Sequence, residues 1–447
     1  MIPKRISILV LTIVTCFCFL SFGICQQHPS ISISSSGTIS LIRSYICGNY
    51  NSTHYYAENN LTGNYELIST DASQTISYAL SKLTPERTWQ ETVYLKGAFS
   101  IITTVTLSQA KVLLDCRQAT VTSTTAIPLI VRSSDVTILG GHWVGQVANT
   151  RIQFLGAGAT RCTIDNFDAN NFALEPGYDS TYITVQNCYF YDSTGNYFIN
   201  FLNSGYNIVR NCHFHNGAVA ALFFSAQCHH NQILSSEFDS MHNHDIYLDG
   251  GSGSIGTNII AGCSFHDHLY NAGAQIKCQN NKIYNNTFYN FLPSNTVGLS
   301  IYSEYSPSYA NDNEVYNNTF TDMTEGIWLG HNPANYPTLR NKIHDNTFTN
   351  VTNCIGLNRW SGSTNTTEDT WIYYNHFYSC TSIFPGTGGP TSVIKNTVVA
   401  YNTFDTTVLN ADVLALKSYV NTLIYGNAPW MVDYPTPLPS PLPIPPP

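Results

Sequence analysis

Ile283-Tyr-Asn-Asn-Thr-Phe288, Val315-Tyr-Asn-Asn-Thr-Phe320 and Ile343-His-Asp-Asn-Thr-Phe348 are three copies of one short pattern. Earlier copies read Val185-Gln-Asn-Cys-Tyr-Phe190, Ile208-Val-Arg-Asn-Cys-His-Phe214, Ile233-Leu-Ser-Ser-Glu-Phe238 and Ile259-Ile-Ala-Gly-Cys-Ser-Phe265. Later ones read Ile372-Tyr-Tyr-Asn-His-Phe377 and Val399-Ala-Tyr-Asn-Thr-Phe404. Trp143 and Phe167 are expected to extend the series backwards. Successive Phe anchors from Phe190 to Phe404 lie 23 to 32 residues apart. A fixed short period of this kind marks a solenoid.

Each period holds a second alternating run, such as Ile246-Tyr-Leu248, Leu299-Ser-Ile301 and Ile327-Trp-Leu329. Period-2 alternation, β-branched residues and Asn/Gly punctuation mean strands, not helices. Two or three short strands per coil, wound so that equivalent positions stack, make a parallel β-helix. Stacking places each anchor ring about 4.8 Å over the next. The Asn before the anchor suits a turn, where it adopts αL and bonds along its own ladder. The expected fold is all-β: a single right-handed parallel β-helix of roughly eleven coils over residues 71–430.

A solenoid end exposes strand edges and needs a cap. Asp71 to Leu83 carries apolar residues at 72, 76, 79, 80 and 83, which predicts a short amphipathic capping helix with Asp71 as N-cap. Thr92-Val-Tyr-Leu95, Val112-Leu-Leu-Asp115 and Ala119-Thr-Val121 read as the first strands. Residues 26–70 read as a polar leader. The Pro-rich tail, 431–447, reads as an extended spacer outside the fold.

Residues 1–25 read as an export signal: Lys4 and Arg5, an apolar run from Ile6 to Phe22, then Gly23 and Cys25 before the cut. Retention as an anchor is the alternative, because the run approaches spanning length. No later stretch is apolar enough to span a bilayer. The expected location is therefore extracellular or at the cell surface, and the expected assembly a monomer. Sequons at Asn51, Asn60, Asn285, Asn317, Asn350 and Asn365 are glycosylation candidates on an exported chain. Ten cysteines follow the signal. Cys188 and Cys212 fall at the same inward position of adjacent coils and read as a buried thiol stack, with a disulfide as the alternative.

Hydrophobic residues make up 43% of the 447, which excludes wholesale disorder. Lys and Arg number 19 against 28 Asp and Glu, and no basic tract is present. A nucleic-acid partner is therefore not expected.

The capping helix, the Val93-Tyr-Leu95 strand and the Ile-x-x-Asn-x-Phe coils resemble the pectin-lyase-like superfamily of right-handed β-helices. The resemblance spans roughly residues 70 to 427, and extends to exported β-helix repeat proteins. It implies a fold shared by pectate and alginate lyases, polygalacturonases, uronate epimerases and catalytically silent surface proteins. It implies no single activity. The polygalacturonase signatures, the pectate-lyase calcium carboxylates and the Asp-Pro-His triplet of mannuronan epimerases are not found here.

Chemistry is sought on the outer rows. Residues flanking each anchor point out, which puts His213, His215, Glu237, Asp239 and His266 on one face. Eight of 14 histidines lie between 213 and 268. In the next strand, inward Ile246 and Leu248 leave Asp245, Tyr247 and Asp249 pointing out, with Gln275 beneath Tyr247 and Lys277 beneath Asp249. Ser300, Tyr302, Glu304, Trp328, His331, Arg359 and Trp360 follow. Exposed aromatics along a groove suit sugar rings.

A uronate lyase or epimerase needs a cation against the substrate carboxylate and a base for the C5 proton. Lys277 is the expected neutraliser. His242, His244 and Tyr247 are the candidate acids and bases, oriented by Asp245 or Asp249. His213, His215, Glu237, Asp239, His266, Asp267, Gln275, Tyr302, Glu304 and Trp328 are the candidate substrate contacts. A hydrolase would instead pair carboxylates from Asp245, Asp249 and Asp267. The third reading is a non-catalytic solenoid that binds cell-surface glycan, with Asp249 and Lys277 a plain ion pair. Ca²⁺ is a possible cofactor, and the His-rich patch a possible transition-metal site.

Overall fold

The computed structural model describes residues 31–33, 39–177, 179–195, 197–225, 227–249, 256–303, 309–331, 338–357, 366–385, 393–405, 421–428 and 443–444. The predicted signal and nearly all of the Pro-rich tail lie outside these. The chain divides into two compact units, residues 1–42 and 43–447. In the first, Ile31–Ile33 pairs antiparallel with Ile39–Leu41. Everything below concerns the second. Among the described residues no helix is long and apolar enough to cross a membrane.

The second unit is a right-handed parallel β-solenoid of about eleven turns. A representative coil runs Thr184–Gln186, Tyr189–Ser193 and Tyr197–Leu202. These three strands pair in parallel with Ile208–Arg210, His213–Gly217 and Ala220–Ser225 of the next coil. Repetition builds three sheets, called first, second and third by their order within a coil.

The anchors explain why the coils stay in register. From Phe190 to Phe404 successive rings stack with centroids 4.5–5.3 Å apart and planes within 11°. Phe167 departs from the expected series. Trp143 pairs with Ala169, and Ala169 with Phe190. Phe167 sits two residues before the anchor position and still fills the core from there, 5.2 Å from Trp143.

Between the first and second sheets the chain turns through one αL residue, such as Asn285, Asn317 or Asp345. The next residue builds a buried ladder, Asn286, Asn318, Asn346, Asn375, Asn402 and Asn427. Asn318 Oδ1 accepts from the Asn286 backbone at 3.0 Å and from its side chain at 2.9 Å. Asn318→Ala is expected to cost about 2–3 kcal/mol, because a buried backbone N–H loses its acceptor. Urea unfolding followed by circular dichroism measures it. The same turn explains two sequons. An αL Asn, a ladder Asn and an outward Thr spell Asn-x-Thr at Asn285 and Asn317, and both αL residues are exposed. Asn350 donates to Asp322 at 2.6 Å. Asn365 lies outside the described residues.

The cap forms as the spacing predicts. An α-helix, α1, spans Ala72–Ser81, and Asp71 Oδ1 accepts from Ser73 N at 2.7 Å. Ala72, Ile76, Ala79, Leu80 and Leu83 are buried. The polar leader is corrected in part: residues 44–69 form three strands. Ser44–Asn49 pairs in parallel with Glu91–Ile101, and Tyr55–Asn59 and Asn64–Ser69 follow antiparallel. Buried Tyr45, Cys47 and Ala57 hold this stretch to the core. At the far end, Tyr425 Oη donates to the Pro443 carbonyl, so the tail touches the last coil. All ten described cysteines are buried thiols outside any disulfide, Cys188 and Cys212 among them.

Candidate functional site on the third sheet

One outward row of the third sheet runs through eight coils. Its registered members are Gln153, Glu175, Asn200, Phe223, Tyr247, Gln275, Ser300 and Trp328. The expected placement of Gln275 beneath Tyr247 holds. Two residues further along each strand lie Asp249, Lys277 and Tyr302.

Lys277 is the centre of this face. Its side chain is 2% exposed. Its Nζ donates to Tyr247 Oη and lies 4.5 Å from the Tyr247 ring centroid and 5.1 Å from that of Tyr302. Burial pulls its pKa down to about 8, partly offset by the Asp249 carboxylate. Gln275 Nε2 donates to Tyr302 Oη. Gln275 Oε1 and Asn200 Oδ1 are buried acceptors with no hydrogen-bond donor among the described residues.

Towards the N-terminal coils the rings of Tyr197 and Phe223 stack at 4.4 Å, and Phe223 lies 5.1 Å from Tyr247. Beyond them is a cavity of about 200 Å³ lined by Asn149, Arg151, Glu175, Tyr197 and Asn200. Arg151 and Glu175 form an ion pair at 2.9 Å, and Gln153 donates to Glu175 at 2.6 Å. Towards the C-terminal coils, buried Glu325 accepts from Trp328 Nε1 at 2.9 Å and from Asn353 at 3.1 Å. Sequence reading missed Arg151, Glu175, Tyr197, Asn200, Phe223 and Glu325. Aligning the coils by stacking register, rather than by motif, brings Glu175, Asn200 and Phe223 into one row with Tyr247 and Trp328.

Several expected site residues stand elsewhere. Asp245 does not point out: it is fully buried, with Oδ1 3.2 Å from His268 Nδ1. Strict alternation fails where the chain bends from the second sheet into the third. There two successive residues turn inward, as in Ala221–Leu222 and Asp245–Ile246. His244 is also buried, 5.0 Å from the Tyr247 ring. Burial, helped by the neighbouring His268 and Lys277, pushes its pKa down to about 3. Its Nδ1 donates to the Ala272 carbonyl at 3.3 Å and its Nε2 accepts from Asn271 at 3.3 Å. It therefore lies buried beside Tyr247 and is not open to solvent. His242 is exposed at the corner.

His213, His215, Glu237, Asp239 and His266 do share one face, in register. That face belongs to the second sheet, so these residues and Lys277 do not lie on one sheet. Asp267 sits at the corner after the second-sheet strand, 2.7 Å from His266 Nδ1. The three carboxylates proposed as a hydrolase set are thus divided among the interior, the third sheet and a second-sheet corner. Glu304, Arg359, Trp360 and the His331 side chain lie outside the described residues.

The family described as right handed beta helix region matches residues 226–399. No curated protein sequence matches the chain. Among solved structures, the catalytic domain of a GH87 α-1,3-glucanase in complex with nigerose superposes with a TM-score of 0.53 at 13% identity, covering 74% of this chain and 67% of that one. The PL6 family polysaccharide lyase Pedsa3628 from Pseudopedobacter saltans gives 0.43 at 12%, covering 78% and 90%. PfbA, a surface adhesin of Streptococcus pneumoniae, gives 0.44 at 16%, covering 70% and 89%. The protein has a right-handed parallel β-helix fold.

Proposed function

We propose that the chain acts on a polysaccharide along the outer face of the third sheet, by elimination or epimerisation at a uronate residue. The observation that carries this is Lys277. An ammonium held against a phenol oxygen, between two tyrosine rings, costs folding energy. Its row neighbours are Asp249 in the preceding coil and Tyr302 in the next, and the coils pair through backbone hydrogen bonds that need no charge there.

The chemistry follows from the pair. A lysine poised near 8 exchanges protons at working pH. As a neutral amine Lys277 takes the Tyr247 proton, and Tyr247 Oη then takes the C5 proton of the sugar. The ammonium so formed balances the charge that develops on the substrate carboxylate. In elimination the C4–O4 bond breaks and Tyr247 returns its proton to the leaving oxygen. In epimerisation water delivers a proton to C5 from the opposite face, and the Lys277 ammonium returns a proton to the hydroxide left behind, while Tyr247 keeps the proton it took. The Tyr197–Phe223 rings supply an apolar face for a sugar ring. The glucanase bound to nigerose holds its sugar on the same fold, an analogy of fold and not of site.

The test uses the chain with pectate, alginate, glucuronan and neutral glycans, with and without calcium. Ultraviolet absorbance reports unsaturated uronate ends, reducing-end release reports hydrolysis, and proton NMR reports epimerisation. New absorbance or an epimerised polymer is expected on one uronate polymer. Reducing ends alone on a neutral glycan would overturn the reading in favour of hydrolysis. Binding without turnover would leave a glycan-binding solenoid.

A further inference from the structure

A second cluster lies on the second sheet, and the reading above does not use it. His213 and His215 are two apart on one strand, so both rings leave the same face. Asp239 lies directly beside His215 in the next coil. His213 Nε2 is 2.7 Å from Asp239 Oδ1, and His215 Nδ1 is 2.7 Å from Asp239 Oδ2. The donor atoms of all three lie within 4.8 Å of one another. The two imidazoles are 38% and 37% exposed, whereas Asp239 is 13% exposed. Tyr189 packs against the His213 ring at 4.9 Å, and Ser240 Oγ donates to Asp239 Oδ2 at 3.1 Å. These contacts hold a ligand ring and the carboxylate in place, as partners outside a metal's own ligands do.

We propose that His213, His215 and Asp239 bind one divalent transition-metal ion of the Zn²⁺ class, with its remaining positions open to solvent. Two imidazoles and a carboxylate suit such ions. Ligands about 2.1 Å from a tetrahedral metal lie about 3.4 Å apart, so the two 2.7 Å nitrogen–oxygen separations here open by less than about 1 Å when the ion replaces the bridging protons. Calcium instead takes six to eight oxygens, and this cluster offers one carboxylate. His266 is not a fourth ligand: Glu237 at 3.0 Å and Asp267 at 2.7 Å occupy its two nitrogens.

The experiment titrates the chelator-treated full chain with ZnCl₂ and with CaCl₂ by calorimetry, and with CoCl₂ by visible absorbance. One Zn²⁺ per chain is expected, with proton release on binding, a Co²⁺ ligand-field band and no response to Ca²⁺. His215→Ala and Asp239→Asn should each weaken Zn²⁺ at least about 10-fold. His376→Ala, an exposed histidine on a distant coil of the same sheet, should leave affinity unchanged. Asp239→Asn keeps the side-chain shape, and a wild-type melting curve shows that it folds. No stoichiometric Zn²⁺ binding, affinity indifferent to both substitutions, or preference for Ca²⁺ would overturn the proposal.

Discussion

Replacing His268 with leucine is expected to destabilise the chain by about 3–5 kcal/mol, as breaking a buried ion pair does. His268 lies in an inward row with Met241 on one side and the Phe291 ring, 5.0 Å away, on the other. Its Nε2 donates to the Asn243 carbonyl at 3.0 Å, which leaves Nδ1 for Asp245. Without it, Asp245 is a lone carboxyl in the core. Asp245→Ala with His268→Leu should return stability to wild type or above, because Ala221 already occupies the Asp245 position one coil earlier and leucine matches its apolar row. The deficit of the single variant should shrink as pH falls, since Asp245 then enters the core as a neutral acid.

The pair also sets a pH trend. Burial opposes charge on His268, but the Asp245 carboxylate overrides it and the net shift is upward. Burial raises Asp245, against the pull of His268 and His266 and with help from Asp239. Both groups hold their protons more tightly folded than unfolded. The Asp245 contribution is therefore full below the ordinary aspartate value of 3.8 and is lost as pH rises above it, and the His268 contribution is lost as pH rises above 6.5. His244, neutral above that pH in both states, does not contribute there. The difference in unfolding free energy between wild type and the double variant, measured from pH 6 to 9, should fall with pH.

The second large effect concerns Lys277. A lysine depressed from 10.5 to about 8 destabilises the folded chain at every pH where it is charged. Lys277→Met is expected to raise stability by about 1–3 kcal/mol at neutral pH, since one pKa unit corresponds to about 1.4 kcal/mol. The same substitution, and Tyr247→Phe, should each lower turnover about 10²–10⁴-fold, the range for losing an acid–base group. Gain of stability with loss of activity is the mark of a residue held for chemistry.

The fold was legible because the solenoid writes itself in every coil. The anchor Phe, the αL residue and the ladder Asn each recur at one offset, and α1 carries its own N-cap. The third-sheet register was legible for the same reason, from Ile246-Tyr-Leu248 down to Trp328. The bend before Asp245 was not. Alternation with period 2 places a side chain only within a straight strand, and a corner turns two residues inward in succession. His268 was invisible as a partner because the contact crosses coils, 23 residues away. Arg151 and Glu175 lie in coils that precede the first Phe anchor of the repeat, so no motif marks their part of the row.

The most direct test sets Lys277→Met beside wild type on the uronate polymers, following product formation and melting temperature for both. Product is expected from wild type alone, with a higher melting temperature for the variant. Equal product from the two proteins, or a variant that melts lower, would contradict it.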